Sequence, residues 1–260
     1  MAPSAEPTAE LTPLPKADGS ATYSYGGYTV TGAVNGPLEA QRRDENPFEA
    51  VVDVNVRPAA GVGGTAERLL ESVLQRALRQ LIPIRNFPRS MIQITLQVTE
   101  TPENAYVNTK VVQAQLNLAI IPALLHAAIL GLLTAAVPLK TIATAVTLAV
   151  GAADDDDAAG LVIVADPSAR EADAARSLHV LGYTSDDELL LAESQGAFTV
   201  DEWEAVLKRG QEACCRAAAA RQGLDEEDTA MAGTGLESAS IRAFIRSVME
   251  TKVARDLYWK

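Results

Sequence analysis

Alternating apolar and polar positions dominate the first hundred residues and then give way to longer apolar runs. Thr22 to Tyr25 and Tyr28 to Asn35 read as two strands joined by Gly26-Gly27, a dipeptide suited to a tight hairpin turn. Asn35-Gly36-Pro37 closes the second. Ala50 to Arg57 sets Val against Asp and Val against Asn, a period of two that predicts a strand with one buried face. The period then becomes helical. Leu69, Leu70, Val73, Ala77, Leu78 and Leu81 predict an amphipathic helix from Thr65 to Leu81, with Thr65 as N-cap and Pro83 and Pro88 punctuating its exit. Met91 to Val98 reads as a strand with Ile92, Ile94, Leu96 and Val98 on one face.

A longer helix is expected from about Lys110 to Thr134, stopped by Pro138. Its stretch from Leu116 to Val137 is nearly all apolar. It contains Asn117, Pro122 and His126 and lacks a strong flanking Lys/Arg cluster, so it reads as a buried core helix rather than a membrane span. Strands follow at Thr141 to Val150, Leu161 to Val164, Ser177 to Tyr183 and Glu188 to Glu193. Thr199-Val200-Asp201-Glu202 carries capping chemistry and opens a helix to about Arg221. Strands, helix, strand, helix, strands and helix in this order imply an α+β fold of α/β layers with helices packed on mixed sheets.

Three regions are expected. Residues 1–15 are rich in Pro, Ala and Glu, lack the basic and apolar segments of a signal peptide, and read as a disordered tail. Residues 16–222 form the folded domain, with an acidic loop at 152–160. Residues 223–260 are a linker followed by an amphipathic helix, Glu237 to Asp256. Ile241, Phe244, Ile245 and Val248 on its apolar stripe are candidates for docking on a partner or on the domain's own flank. Phe244 is the best anchor because an aromatic buries the most area.

Charge divides the chain. The net charge of −12 splits into 11 basic and 12 acidic side chains in residues 1–151 against 11 and 22 in residues 152–260. Such a protein does not bind phosphate backbones over its whole surface, so any RNA contact must be local and lie in the Arg-rich first half. Asp154 to Asp157 read as a solvated loop tip rather than a cation site. Cys214 and Cys215 are adjacent on a predicted helix, which argues for reduced thiols and excludes a CxxC redox or zinc site. His126 and His179 are too few and too far apart for a metal cluster. No metal and no cofactor is expected.

Five segments stand in a particular order: Ala17-Asp18-Gly19-Ser20-Ala21, Gly36-Pro37-Leu38-Glu39, Val54-Asn55-Val56-Arg57-Pro58, the helix from Thr65, and Phe87-Pro88-Arg89-Ser90 leading into Ile92-Gln93-Ile94. In this order and spacing the chain resembles the RNase PH family over roughly residues 16–222. The resemblance implies a duplicated βαβα unit of the ribosomal protein S5 domain 2-like kind. It also implies phosphate-dependent cleavage of RNA from the 3′ end in active members. Their basic pair at the start of the first long helix is replaced here by Thr65-Ala66-Glu67. Their small-residue and Arg phosphate loop is replaced by Glu100-Thr101-Pro102-Glu103-Asn104, whose charge opposes phosphate binding. Of the two catalytic Asp residues expected six apart, Asp166 occupies the first place, Ala172 the second, and Asp173 is one out of register.

The chain therefore resembles the family's catalytically silent members that build the ring of the RNA exosome. Partners implied by that likeness are other RNase PH-like ring subunits, S1/KH-type cap proteins, a separate hydrolytic nuclease and single-stranded RNA. Ribosomal RNA maturation and RNA turnover are the implied roles, in nucleus, nucleolus and cytoplasm. Arg42 and Arg43 follow Gly36-Pro37-Leu38-Glu39, in a loop that faces the central channel in ring-forming members. They are the RNA-contact candidates, set against a surface pair balanced by Asp44 and Glu45. Arg89 is expected to be mainly structural. The alternatives are an active phosphorolytic 3′ exoribonuclease and, more weakly, a stand-alone RNA-binding homodimer.

Overall fold

The computed structural model describes residues 6–102, 117–151, 162–215 and 241–258. The architecture is α+β: two mixed or antiparallel sheets with helices between and beside them. The first sheet has the order β1-β2-β3-β5-β4, made of Thr8–Leu11, Gly19–Tyr25, Tyr28–Glu39, Ser90–Glu100 and Val51–Arg57 for β1, β2, β3, β5 and β4 respectively. The second has the order β7-β6-β8-β9, with β6 Ala143–Gly151, β7 Val162–Ala165, β8 Ser177–Thr184 and β9 Leu189–Gly196.

Helix α1, Thr65–Leu81, joins β4 to β5, which pair in parallel with Val54 opposite Ile94. A parallel pair needs such a crossover, and α1 buries Leu70, Val73, Leu74, Ala77, Leu78 and Leu81 beneath it. The N-cap is Gly64 rather than Thr65, because the Glu67 carboxylate accepts the Gly64 amide proton at 2.6 Å.

Helix α2, Ile121–Thr134, packs on β2 and β3 on one side and β6 on the other, which is why its sequence is apolar all round. It is shorter than the expected helix. Asn117 is extended at φ −84 and ψ 93, a single 3-10 turn spans Leu118–Ile120, and Pro122 sits in the first turn where a missing amide costs nothing. Residues 103–116 lie outside the described set. Gly19 lies so close to α2 that a Cβ there would run into the Ala135 backbone. Among the described residues no helix is long and apolar enough to cross a membrane.

Three further helices lie among the described residues. Helix α3, Ala169–Ala174, is capped by Ser168 and Glu171 and has no counterpart in the sequence pattern. Helix α4, Val200–Cys215, covers the second sheet, where Val206 and Cys214 meet Leu148, Leu181 and Tyr183. Helix α5 runs over Ile241–Asp256. The acidic run Asp154–Asp157 and the linker at 223–235 lie outside the described residues.

One segment corrects the expected disordered tail. Thr8–Leu11 forms β1, pairing with β2 from Thr8 opposite Ser24 to Leu11 opposite Ala21. The free edge of β2 supplies partners for backbone groups that a Thr-Ala-Glu-Leu pattern does not advertise.

Candidate functional site

The β2–β3 hairpin turns at Gly26 and Gly27, with φ of 62° and 83°. Both residues need the left-handed region that glycine enters without strain. The turn presents two tyrosines, Tyr25 and Tyr28, toward the second half of the chain. The Tyr25 hydroxyl donates to Asp166 Oδ2 at 2.9 Å. Asp166 stands just after β7 at φ 52°, unusual for a residue with a side chain, and its amide donates to the Thr147 carbonyl at 2.8 Å. Asp166 keeps solvent contact, yet the packing around its carboxyl raises it above the usual carboxylate range, and the Tyr25 and Thr147 hydrogen bonds pull it partly back. Burial, followed by the Asp166 charge and hydrogen bond, pushes the Tyr25 phenol up, so the proton stays on the phenol and the carboxylate accepts.

Tyr28 donates to Asn117 Oδ1 at 3.5 Å and lies near enough to Asp173 for that charge to help raise its phenol, behind the larger effect of burial. The hairpin tip thus holds Asp166 by a direct hydrogen bond. Sequence reasoning missed both tyrosines; their place on either side of a Gly-Gly turn was the available signal.

Around the site the basic side chains are few, and Arg170 on α3 is exposed beside Asp173. Ala66 occupies the first turn of α1 with a methyl group, and its neighbour Arg68 pairs with Glu71 at 2.8 Å. Glu100, at the end of β5, accepts from Thr29 Oγ1 at 3.0 Å. Glu103 and Asn104 lie outside the described residues. Among the described residues neither Asp166 nor Asp173 forms an ion pair, and no three His, Cys, Asp or Glu side chains meet as a metal site.

Arg42 and Arg43 are exposed between β3 and β4. Glu45, the expected counter-charge, is committed elsewhere: it binds Arg89 at 3.3 Å. Glu49 likewise takes Arg79 at 2.9 Å and Arg85 at 4.0 Å. Arg89 has φ 60°, donates its amide to the Asn46 carbonyl at 3.0 Å, and accepts at its own carbonyl from Ala40. These ties hold the segment at its flanks, and among the described residues Arg42 and Arg43 have no ion-pair partner.

The docking candidates are spent within the chain. Ile245 is fully buried in the main core, with Ile241, Phe244, Val248 and Met249 packed around it. The Phe244 ring meets Tyr23 edge-on with centroids 6.4 Å apart. The chain's own core covers Ile245, while Ile241, Phe244 and Val248 pack against it and stay half-buried.

His126 is a core side chain whose Nε2 accepts from the Ala145 amide at 3.0 Å, and burial lowers its pKa to about 3. His179 is held between the Ser177 and Ser194 hydroxyls at 3.0 and 2.8 Å. Cys214 and Cys215 are free thiols pushed up to about 12 and about 11, first by burial.

The fold sets the class, and comparisons with known proteins agree with it. The family model of the 3′ exoribonuclease family, domain 1 (RNase PH), matches residues 6–138, and the chain belongs to this family. The exosome complex component RRP46 of Saccharomyces cerevisiae is 30% identical over 212 residues, covering 79% of this chain and 89% of the yeast protein. A rice protein (Oryza sativa subsp. japonica), exosome complex exonuclease RRP46 homolog, is 35% identical over 86 residues, 33% of this chain and 36% of its own length. The crystal structure of rice Rrp46 superimposes with a TM-score of 0.66 at 24% identity, covering 83% of this chain and 89% of that one.

Proposed function

We propose that this chain is a non-catalytic ring subunit of the RNA exosome. In this reading it is a scaffold for 3′–5′ RNA processing and degradation, including ribosomal RNA maturation, and it acts beside other RNase PH-like subunits. The observation that carries the reading is Asp166. A catalytic carboxylate must be free to bind a metal or handle a proton. This one accepts from Tyr25 at one oxygen, and the partner carboxylate that the family resemblance expects six residues on is replaced by Ala172. The likeness to the yeast exosome component over most of both chains supports the assembly.

Arg42 and Arg43 then give the ring a sequence-independent contact to the RNA that threads it toward a separate nuclease. Two exposed guanidinium groups without an ion-pair partner among the described residues suit phosphates and carry no base readout. S1/KH-type cap proteins on one face complete the proposed assembly, placed in nucleus, nucleolus and cytoplasm.

The experiment is a turnover assay. Purified chain with 3′-single-stranded RNA, inorganic phosphate and magnesium should release no nucleoside diphosphate. The rice relative carries "exonuclease" in its name, which keeps phosphorolysis as the second reading. Phosphate-dependent release abolished by Asp166→Asn would establish that reading and remove the first.

A further inference from the structure

Helix α5 is held to the rest of the chain by two unlike contacts. At its start, Arg242 reaches the turn between β8 and β9. Nη2 donates to the Thr184 carbonyl at 2.8 Å and pairs with Asp187 Oδ1 at 3.4 Å, and Nη1 faces the Ser185 carbonyl at 3.5 Å. The same guanidinium lies 3.8 Å from the Cys215 sulfur at the end of α4. Beyond it, Phe244 and Ile245 press into the core, Ile245 fully buried and Phe244 against Tyr23. Tyr23 in turn stands edge-on to His126 with centroids 5.2 Å apart.

The two contacts do not close cleanly. Arg242 Nε, Tyr23 Oη and His126 Nδ1 are all buried without a hydrogen-bond partner. His126 Nε2 accepts from Ala145, so the neutral ring carries its proton on the unpartnered Nδ1. A buried donor left unpaired forfeits its hydration with nothing in return. The apolar strip therefore favours docking while the polar groups in and under it oppose docking. Such an element opens before the sheets do. A helix of 16 residues is marginal away from the core, so release also melts it and keeps the docked state dominant.

We propose that α5 is a releasable strap, latched by Arg242 on the β8–β9 turn. It opens as a unit while both sheets stay folded; it uncovers the buried Tyr23 and frees the half-buried Cys215 from the Arg242 guanidinium. Tyr23 and Tyr25 lie on the same face of β2, so the strap closes over one end of the row whose other end holds Asp166. This holds whether or not the ring-subunit reading is correct, since it concerns only contacts within the chain.

The test uses the full chain carrying Cys214→Ser, so that Cys215 is the only thiol. Its labelling by a disulfide reagent is followed together with hydrogen exchange of residues 241–256 and of β3 and β5. The expected result is a sub-global opening: Cys215 labelling and α5 exchange share one rate, faster than β3 and β5. Arg242→Ala should speed both by about tenfold, the effect of losing one charge-assisted hydrogen bond, with β3 and β5 unchanged. Phe244→Ala should do the same through the other contact. The proposal fails if α5 exchanges only with β3 and β5, or if Arg242→Ala leaves Cys215 labelling unchanged. It also fails if labelling depends on protein concentration, which would mean that a second copy supplies the helix. Should Arg242→Ala unfold the chain, the urea dependence of wild-type labelling decides. A shallower slope than that of β3 and β5 supports a strap, and an equal slope overturns it.

Discussion

The Tyr25 hydroxyl and the Asp166 carboxylate, 141 positions apart in the chain, meet at 2.9 Å and tie the hairpin tip of the first sheet to the strand end of the second. The Asp166 carboxylate thereby serves as a strut between the two sheets. Tyr25→Phe keeps the ring and removes the donor, leaving Asp166 with one partner fewer. The expected cost is about 1–2 kcal/mol of stability, less than a fully buried charged hydrogen bond because solvent reaches this carboxylate. A urea midpoint equal to that of the wild type would show the strut to be idle.

Acid should weaken the fold through His126. Its pKa falls from an ordinary 6.5 to about 3 on folding, by burial. The unfolded chain therefore binds the proton first, and stability that is complete above pH 6.5 declines as the pH drops below it. The slope from this one group is about 1.4 kcal/mol per pH unit. His179, also lowered by burial, adds with the same sign, whereas the raised Asp166 works the other way, stabilising at low pH and losing that contribution as pH rises. The difference between wild type and His126→Gln isolates the term, because glutamine still offers the Ala145 amide an acceptor. Unfolding free energies of the two should diverge steadily from pH 7 to pH 5, and parallel curves would refute the assignment.

Reversing Arg42 and Arg43 to Glu should weaken RNA protection by the assembled ring and leave assembly intact. Two lost phosphate contacts on a single strand lower the slope of log affinity against log salt by about 1.4. Binding measured from low to moderate salt gives that slope directly. Unchanged protection at low salt would make the pair ordinary surface charge.

Gly19→Ala should be among the most damaging single-methyl changes in the chain. The added carbon has no room against the Ala135 backbone, so β2 and α2 must move apart, at about 3 kcal/mol. Gly26→Ala at the open hairpin tip meets no neighbouring atom and costs only the backbone strain of its positive φ, about 1 kcal/mol. Thermal unfolding of the two variants should rank them in that order.

Local pattern by itself determined most of the elements of this protein. The limits of α1 at Thr65 and Leu81, the Gly26-Gly27 hairpin, and the strands of both sheets other than β1 follow from periods of two and 3.6, which depend only on which face of a residue's own element is buried. The identities at Ala66 and Ala172 were equally legible, since they need only the name of a side chain. Tertiary structure decided everything that depends on what a face meets. The stripe of Ile241, Phe244, Ile245 and Val248 is the same whether it covers a partner or the chain's own core. Only the position of Tyr23 settles that it turns inward. Glu45 stands two residues from Arg43 in sequence, yet it binds Arg89, because the β3–β5 pairing brings that guanidinium closer. The same holds for Tyr25 and Asp166: neither residue carries a local sign of the other, and two sheets stacked across α2 are what brings a phenol to a carboxylate.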